Sequence, residues 1–225
     1  MHDTAESNSK RFIESYIKLP GIMVDIGSRL VATARTSFCI RHATPDFVKY
    51  VGVDFQDGDN VDVVIDDGCK LPFDSESIDY VVSSSCFEHA EHFWLTYLEA
   101  MRILKPSGIL YVCAPSNGPW HRFPVDCWRF YPDSASALVS WGRKNGLENV
   151  LLEQFTSYVL GDVWEDYVFV ILKDAKQIGC HPKRILHNFA DFKNGSVHPH
   201  ENFLNVDEGW GFWLRAHDEI LRRRR

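Results

Sequence analysis

Five short apolar runs, most of them leading into an acid, a glycine or a serine, constrain what this chain can fold into. They are Ile22–Ile26 before Gly27, Tyr50–Asp54, Val61–Ile65 before Asp66-Asp67-Gly68, Ile78–Ser83 before Ser84-Ser85, and Ile109–Ala114. Near-continuous apolar runs of this length are strands buried on both faces. Helical spacing appears around them. Phe12, Ile13, Tyr16 and Ile17 form a stripe within residues 8–19, closed by Pro20-Gly21. Trp94, Tyr97, Leu98 and Met101 mark a helix over 90–104, stopped by Lys105-Pro106-Ser107-Gly108, and a third helix spans 133–145 before Gly146. Residues 150–155 and 166–173 add two more strands. Strands alternating with helices predict an α/β fold with a mostly parallel sheet covered on both faces. Between strands two and four there is room for only short helices or none.

A chain of 225 residues suits one such domain, which needs no disulfide or metal to stabilise it. Its formal charge of −7 argues against broad nucleic-acid binding, which needs many cationic contacts to phosphates. Cys39, Cys69, Cys86, Cys113, Cys127 and Cys180 form no C-x-x-C pair and read as reduced residues. The polar N-terminus lacks an apolar leader, and no apolar stretch approaches the roughly 20 residues of a membrane span. A soluble, cytoplasmic protein with no membrane or nucleic-acid partner is the expectation. We divide the chain into an N-terminal helix or lid (1–20), a central domain (21–174) and a C-terminal cap or interface segment (175–225). In that last segment Phe192, Phe203, Trp210, Phe212 and Trp213 need cover, which makes it a candidate surface for homo-oligomerisation. The terminal run Arg222–Arg225 reads as a solvated end.

In open α/β sheets ligands lie beyond the carboxyl ends of the strands. The residues there are Asp25-Ile26-Gly27-Ser28-Arg29, then Asp54, then Asp67-Gly68-Cys69 with Leu71-Pro72-Phe73, then Ser84-Ser85 and Glu88-His89. Together with the stretches DDGCKLPFDSESIDYVVSSSCFEHAEHF and EAMRILKPSGILYVCAPS, this order resembles the class I S-adenosylmethionine-dependent methyltransferases. The resemblance covers residues 22 to about 141. It implies a Rossmann-like, mostly parallel seven-stranded sheet with helices on both faces and an antiparallel last strand. It also implies S-adenosylmethionine as cofactor. Asp54 falls where an acid holds the ribose diol, with Phe55 beside it. Asp67 and Gly68, with Cys69, fall at the adenine, and Ser85 lies beneath the methionine end. Asp25, Gly27, Ser28 and Arg29 make the first turn. The chemistry agrees, because an ionised carboxylate is an acceptor-only group suited to a diol, and glycine lets backbone approach a ligand. Arg29 departs from the family pattern, which has a second glycine there. Its side chain either turns to the methionine carboxylate or faces outward.

Residues 117–131, NGPWHRFPVDCWRFY, follow strand five on the rim where an acceptor would lie. Trp120, Arg122, Asp126 and Arg129 are the candidate substrate-binding residues. Trp128 and Phe130 read rather as anchors, and Asp126 can also pair with Arg129. A hydroxyl acceptor benefits from a general base, for which His121 comes first and His92 second. His89 and Asp126 are further candidates, although His89 sits in an E-H pair that the family uses structurally. The ten histidines show no tight ligand spacing, so no metal is expected. The P-x-D-x-W-R-F-Y pattern of this loop resembles methyltransferases found among enzymes that build or decorate surface sugars and related metabolites, and the resemblance implies O-methylation of a small polar molecule such as a sugar or glycosylated metabolite. Two alternatives stay open. One is an anionic acceptor (phosphonate, phosphate or carboxylate) met by Arg29, Arg35, Arg41, Arg122 and Arg129. The other is a non-catalytic or nicotinamide-binding module, whose G-x-G-x-x-G turn this chain lacks.

Overall fold

The computed structural model describes residues 2–31, 38–66, 69–161 and 163–207. One mixed sheet runs through it in the order β3-β2-β1-β4-β5-β7-β6-β8-β9. Strands β1 (Gly21–Ile26), β2 (Val48–Asp54), β3 (Val63–Val64), β4 (Ile78–Ser84) and β5 (Leu104–Pro115) are mutually parallel. Strand β7 (Asp166–Leu172) inserts antiparallel between β5 and β6 (Val150–Ser157). These seven strands match the expected sheet. Beyond them, β8 (Phe192–Val197) and β9 (His200–Leu204) form an antiparallel hairpin that widens it to nine. The sequence reading left that hairpin in an irregular cap, because FKNGSV and HENFL carry too few β-branched residues to announce strands. Gly195 is required there, since a Cβ would stand 2.4 Å from the Phe192 ring.

Each sheet face has its own core. On one, α1 (Asp3–Tyr16) lays Ala5, Phe12, Ile13 and Tyr16 against Tyr111, Val168 and Val170, and the short helix α2 (Ile40–Ala43) adds Ile40. On the other, α3 (Phe93–Ile103) and α4 (Ser134–Lys144) cover Val81, Leu110, Val112 and Phe169. The N-terminal segment therefore packs on the sheet. Its helix begins five residues before the apolar stripe suggested, because its first turns are buried through small and polar residues. Asn8, for instance, donates to Ser157 Oγ at 2.8 Å. Strand β5 also begins earlier than expected, at Leu104, which pairs with Ile78 before the register shifts. The stretch 105–108 is thus an irregularity within a strand. Pro106 and Gly108 there accept from Asp174 N and Lys173 N.

Strand order reverses between β1 and β4, the position at which an open α/β sheet leaves a crevice at its strand tips. Among the described residues no helix is long and apolar enough to cross a membrane.

Candidate active site

The crevice holds a cavity of about 400 Å³ lined by Asp25, Gly27, Ser28, Arg29, Ser84, Ser85, Glu88, His89, His121 and Trp164. A second lobe of about 330 Å³ is lined by Asp54, Phe55, Ile65, Asp66 and Thr96. The two share Gly27, Arg29, Ser85, His89 and Phe123, so they form one continuous cleft. Together they lie in the volume range of small-molecule and cofactor sites.

The first turn is fixed by backbone. Gly27 has φ +81° and a Cβ there would fall 2.4 Å from Cys86, so only glycine fits. Gly27 N and Ser28 N both donate to Val53 O. Asp54 is buried and accepts from Arg29 N on one oxygen and from Gln56 N on the other. Each of its oxygens keeps a lone pair, since a carboxylate offers about four acceptor sites. Asp25 accepts from the Tyr50 hydroxyl, and burial raises its pKa to about 7. At the tip of β4, the Ser84 and Ser85 hydroxyls are buried with no hydrogen-bond partner among the described residues. Ser85 adopts φ +53°, which lets its N–H reach Cys113 O.

The acceptor-side rim is sewn to β4. Glu88 O accepts from Cys127 N and Trp128 N, Trp128 Nε1 donates to Ala90 O, and Phe130 is buried in the core. This places the aromatic loop over the E-H pair and brings His121 to the cleft. Asp126 accepts from His121 N at 2.7 Å and from both Arg129 terminal nitrogens at 2.6 and 2.9 Å. The Arg129 hydrogen bonds hold its carboxyl well below the usual range. His121 Nδ1 lies 3.2 Å from Asp126 Oδ2 and 3.3 Å from Pro119 O. Arg129 Nη2, a donor, stands farther off at 3.5 Å, so the two nearer acceptors favour the hydrogen on Nδ1 and a lone pair on Nε2. His89 Nδ1 likewise donates to Val125 O at 2.5 Å, and burial lowers its pKa. Glu88 is 1% exposed, is pushed up to about 8 by burial, and has no partner on Oε2 among the described residues.

The structure thus gathers Asp25, Gly27, Ser28, Arg29, Asp54, Phe55, Ser85 and His121 at one cleft. Asp67 and Gly68 lie outside the described residues, as do Arg35, Trp210, Phe212, Trp213 and the terminal arginines. Cys69 is half-buried and lines neither lobe. His92 is exposed at the start of α3, edge-on to Trp94, and lines neither lobe. Trp120 is 74% exposed with Arg122 over its ring, and both stand outside the cavity wall. Asp126 and Arg129 are paired with each other, and Arg41 pairs with Asp62. Sequence reasoning missed Trp164 and Phe123 as cleft residues, and it named Glu88 at the tip of strand four without giving it a role. The E-H pair did signal Glu88, but its opening to the cleft depends on the loop sewn above it.

Residues 22–112 match a family described as a methyltransferase domain. Those residues, β1 through most of β5, form a methyltransferase domain of the class that uses S-adenosylmethionine as cofactor. No curated protein matches the sequence. Among solved structures, the chain is similar to Burkholderia thailandensis 1,6-didemethyltoxoflavin-N1-methyltransferase, crystallised with its substrate and S-adenosylhomocysteine. The identity is 10% over 76% of this chain and 78% of that one, with a TM-score of 0.58. It is also similar to a chain of the Haloferax volcanii complex containing the Trm112 methyltransferase activator (19% identity, 76% and 90% covered, TM-score 0.55). A third is the [4+2]-cyclase SpnF (13% identity, 75% and 81% covered, TM-score 0.53). These likenesses establish the fold, and the cyclase among them is a reminder that a fold alone does not define a reaction.

Proposed function

We propose that the protein transfers a methyl group from S-adenosylmethionine to a hydroxyl oxygen of a small, neutral, polar acceptor of the sugar type. One observation carries this reading: a single cleft joins a buried acid at the tip of β2 to an imidazole with a free ring nitrogen beneath an aromatic rim.

The cleft fits the cofactor. Asp54 keeps lone pairs for a ribose diol, Gly27 leaves the first turn without a side chain, and the Ser84 and Ser85 hydroxyls, without a partner among the described residues, await polar atoms. Asp67 and Gly68 remain the candidates at the adenine and Arg29 the candidate at the methionine carboxylate. When bound, the cofactor supplies an electrophilic methyl group on a sulfonium. The chain's own task is to orient the acceptor and exclude water. His121 receives the acceptor's proton on Nε2, while Asp126 holds its Nδ1–H, an arrangement that fixes the tautomer and stabilises the imidazolium. The oxygen that gives its proton to His121 would take the methyl group that the bound cofactor would supply. Trp164, tilted against His121 with ring centroids 4.7 Å apart, and Phe123 offer apolar faces for a sugar ring.

An anionic acceptor is less well supported. Of the arginines considered for it, Arg41 and Arg129 are already paired with Asp62 and Asp126, and Glu88 and Asp25 line the same cavity. Calorimetric titration with S-adenosylhomocysteine and with NAD tests the cofactor. A turnover assay with neutral sugars against phosphorylated or carboxylated ones tests the acceptor. Binding of NAD alone, or turnover confined to anions, would sink the corresponding half of the proposal.

A further inference from the structure

We propose that Glu88, His89 and His121 form a binding site for one divalent transition-metal ion of the zinc class, with its open position facing the cleft. Each of the three brings a ligand atom within 4.8 Å of the other two. The donor atoms of a tetrahedral zinc site stand about 3.3 Å apart. Glu88 Oε1 and His89 Nε2 are already 3.6 Å apart, so a small inward movement of His121 completes the set.

The argument lies in how the hydrogens are committed. His89 donates its Nδ1–H to Val125 O and His121 its Nδ1–H towards Asp126. Both neutral rings therefore keep a lone pair on Nε2. His89 Nε2 then faces Glu88 Oε1, one acceptor against another, in a place where Glu88 is 1% exposed. The second carboxylate oxygen, Oε2, is buried with no hydrogen-bond partner among the described residues. Two acceptors held face to face in a buried site call for a proton or a cation between them, and a cation is the one that also engages the third ligand atom, on His121. Metal-binding histidines have this backing, the second ring nitrogen held by a carbonyl or a carboxylate. Two imidazoles and one carboxylate are the donor set that borderline divalent ions prefer. Three protein ligands with one open position distinguish a reactive site from a closed structural one. All three side chains line the cavity that also holds Asp25 and Ser85.

The inference rests on the methyl-transfer reading only for what the ion would do, which is to draw in the acceptor's oxygen and ease loss of its proton. In that case the Nε2 lone pair of His121 is a ligand, and the proton goes to solvent rather than to the ring.

The test uses the full chain, stripped of metal, titrated with Zn²⁺ by calorimetry and with Co²⁺ by visible absorption. One ion per chain is expected, with the d–d bands of nitrogen and oxygen ligation. His121→Ala and Glu88→Gln should each weaken binding at least tenfold. Circular dichroism identifies any variant that fails to fold, and either variant alone decides the matter. A His198→Ala/His200→Ala double variant should bind as the parent does. Absence of a stoichiometric ion, a sulfur-to-cobalt charge-transfer band, or affinity unchanged in Glu88→Gln and His121→Ala would each overturn the proposal. S-adenosylhomocysteine is titrated in parallel. Its binding without any metal binding removes this site and spares the methyltransferase reading, whereas metal binding without it does the reverse.

Discussion

Glu153 and Glu88 are buried alike, at 0% and 1% exposure, yet they sit in opposite halves of the sheet and in opposite circumstances. Glu153, on β6, accepts from the Tyr16 hydroxyl at 2.6 Å and from Ile185 N and Leu186 N at 2.8 and 3.0 Å. It ties α1 and the segment after β7 to the antiparallel half. Glu88, beyond β4, keeps an oxygen with no partner among the described residues and opens on a cavity. Burial raises the pKa of both. Burial alone therefore does not mark function. What separates the two is whether the surrounding chain satisfies the group or leaves it for something else. The Glu153 carboxylate is saturated by its own chain, and the Glu88 carboxylate is left unsaturated beyond a parallel strand's tip.

The largest expected effect tests the saturated side. Glu153→Ala strips three donors of their acceptor and should lower unfolding free energy by about 3–5 kcal/mol, read by denaturant melts. A loss below about 1 kcal/mol would break the comparison. On the open side, His121→Ala should reduce turnover by about 10²–10⁴-fold, with the melting temperature and S-adenosylhomocysteine affinity preserved. Asp54→Ala should weaken that affinity by about 1.5–3 kcal/mol, the range for hydrogen bonds to a charged group, with little change in melting.

A smaller effect concerns pH. Asp25 titrates near 7 when folded, against about 4 when unfolded, and Tyr50, Arg41 and Asp54 are its charged or polar neighbours. The folded chain holds the proton more tightly, so stability should fall as pH rises from about 4 to about 7 and level off above. Asp25→Asn should flatten that fall. A rising slope abolished by that variant would contradict the assignment. Smallest of all, metal-free Glu88→Gln should change stability by less than about 1 kcal/mol. A loss equal to that of Glu153→Ala would erase the distinction between the two carboxylates.

The parallel half was largely legible in sequence, because a strand buried on both faces is written as an unbroken apolar run and its tip as a change to acid or glycine. Asp25, Gly27 and Asp54 could be placed for that reason. The hairpin of β8 and β9 could not, since its one indispensable signal, Gly195, answers to the ring of Phe192 and not to periodicity. His121 ranked first and His92 second, both as histidines near an expected rim. Only the hydrogen bonds of Cys127 and Trp128 to the Glu88 carbonyl decide which reaches the cleft. Such contacts join residues about 40 apart and leave no local pattern.

The two-residue strand β3 has a consequence for how the protein behaves in a crowded solution. A sheet's outermost strand is a template for another chain, and its danger grows with its length. Here that border offers Val63 and Val64 alone, and the adjacent Asp62 is bound by Arg41 and by Gly52 N. The parallel side of the sheet thus ends in too little free backbone to recruit a neighbour, which guards the cleft-bearing half against runaway strand addition.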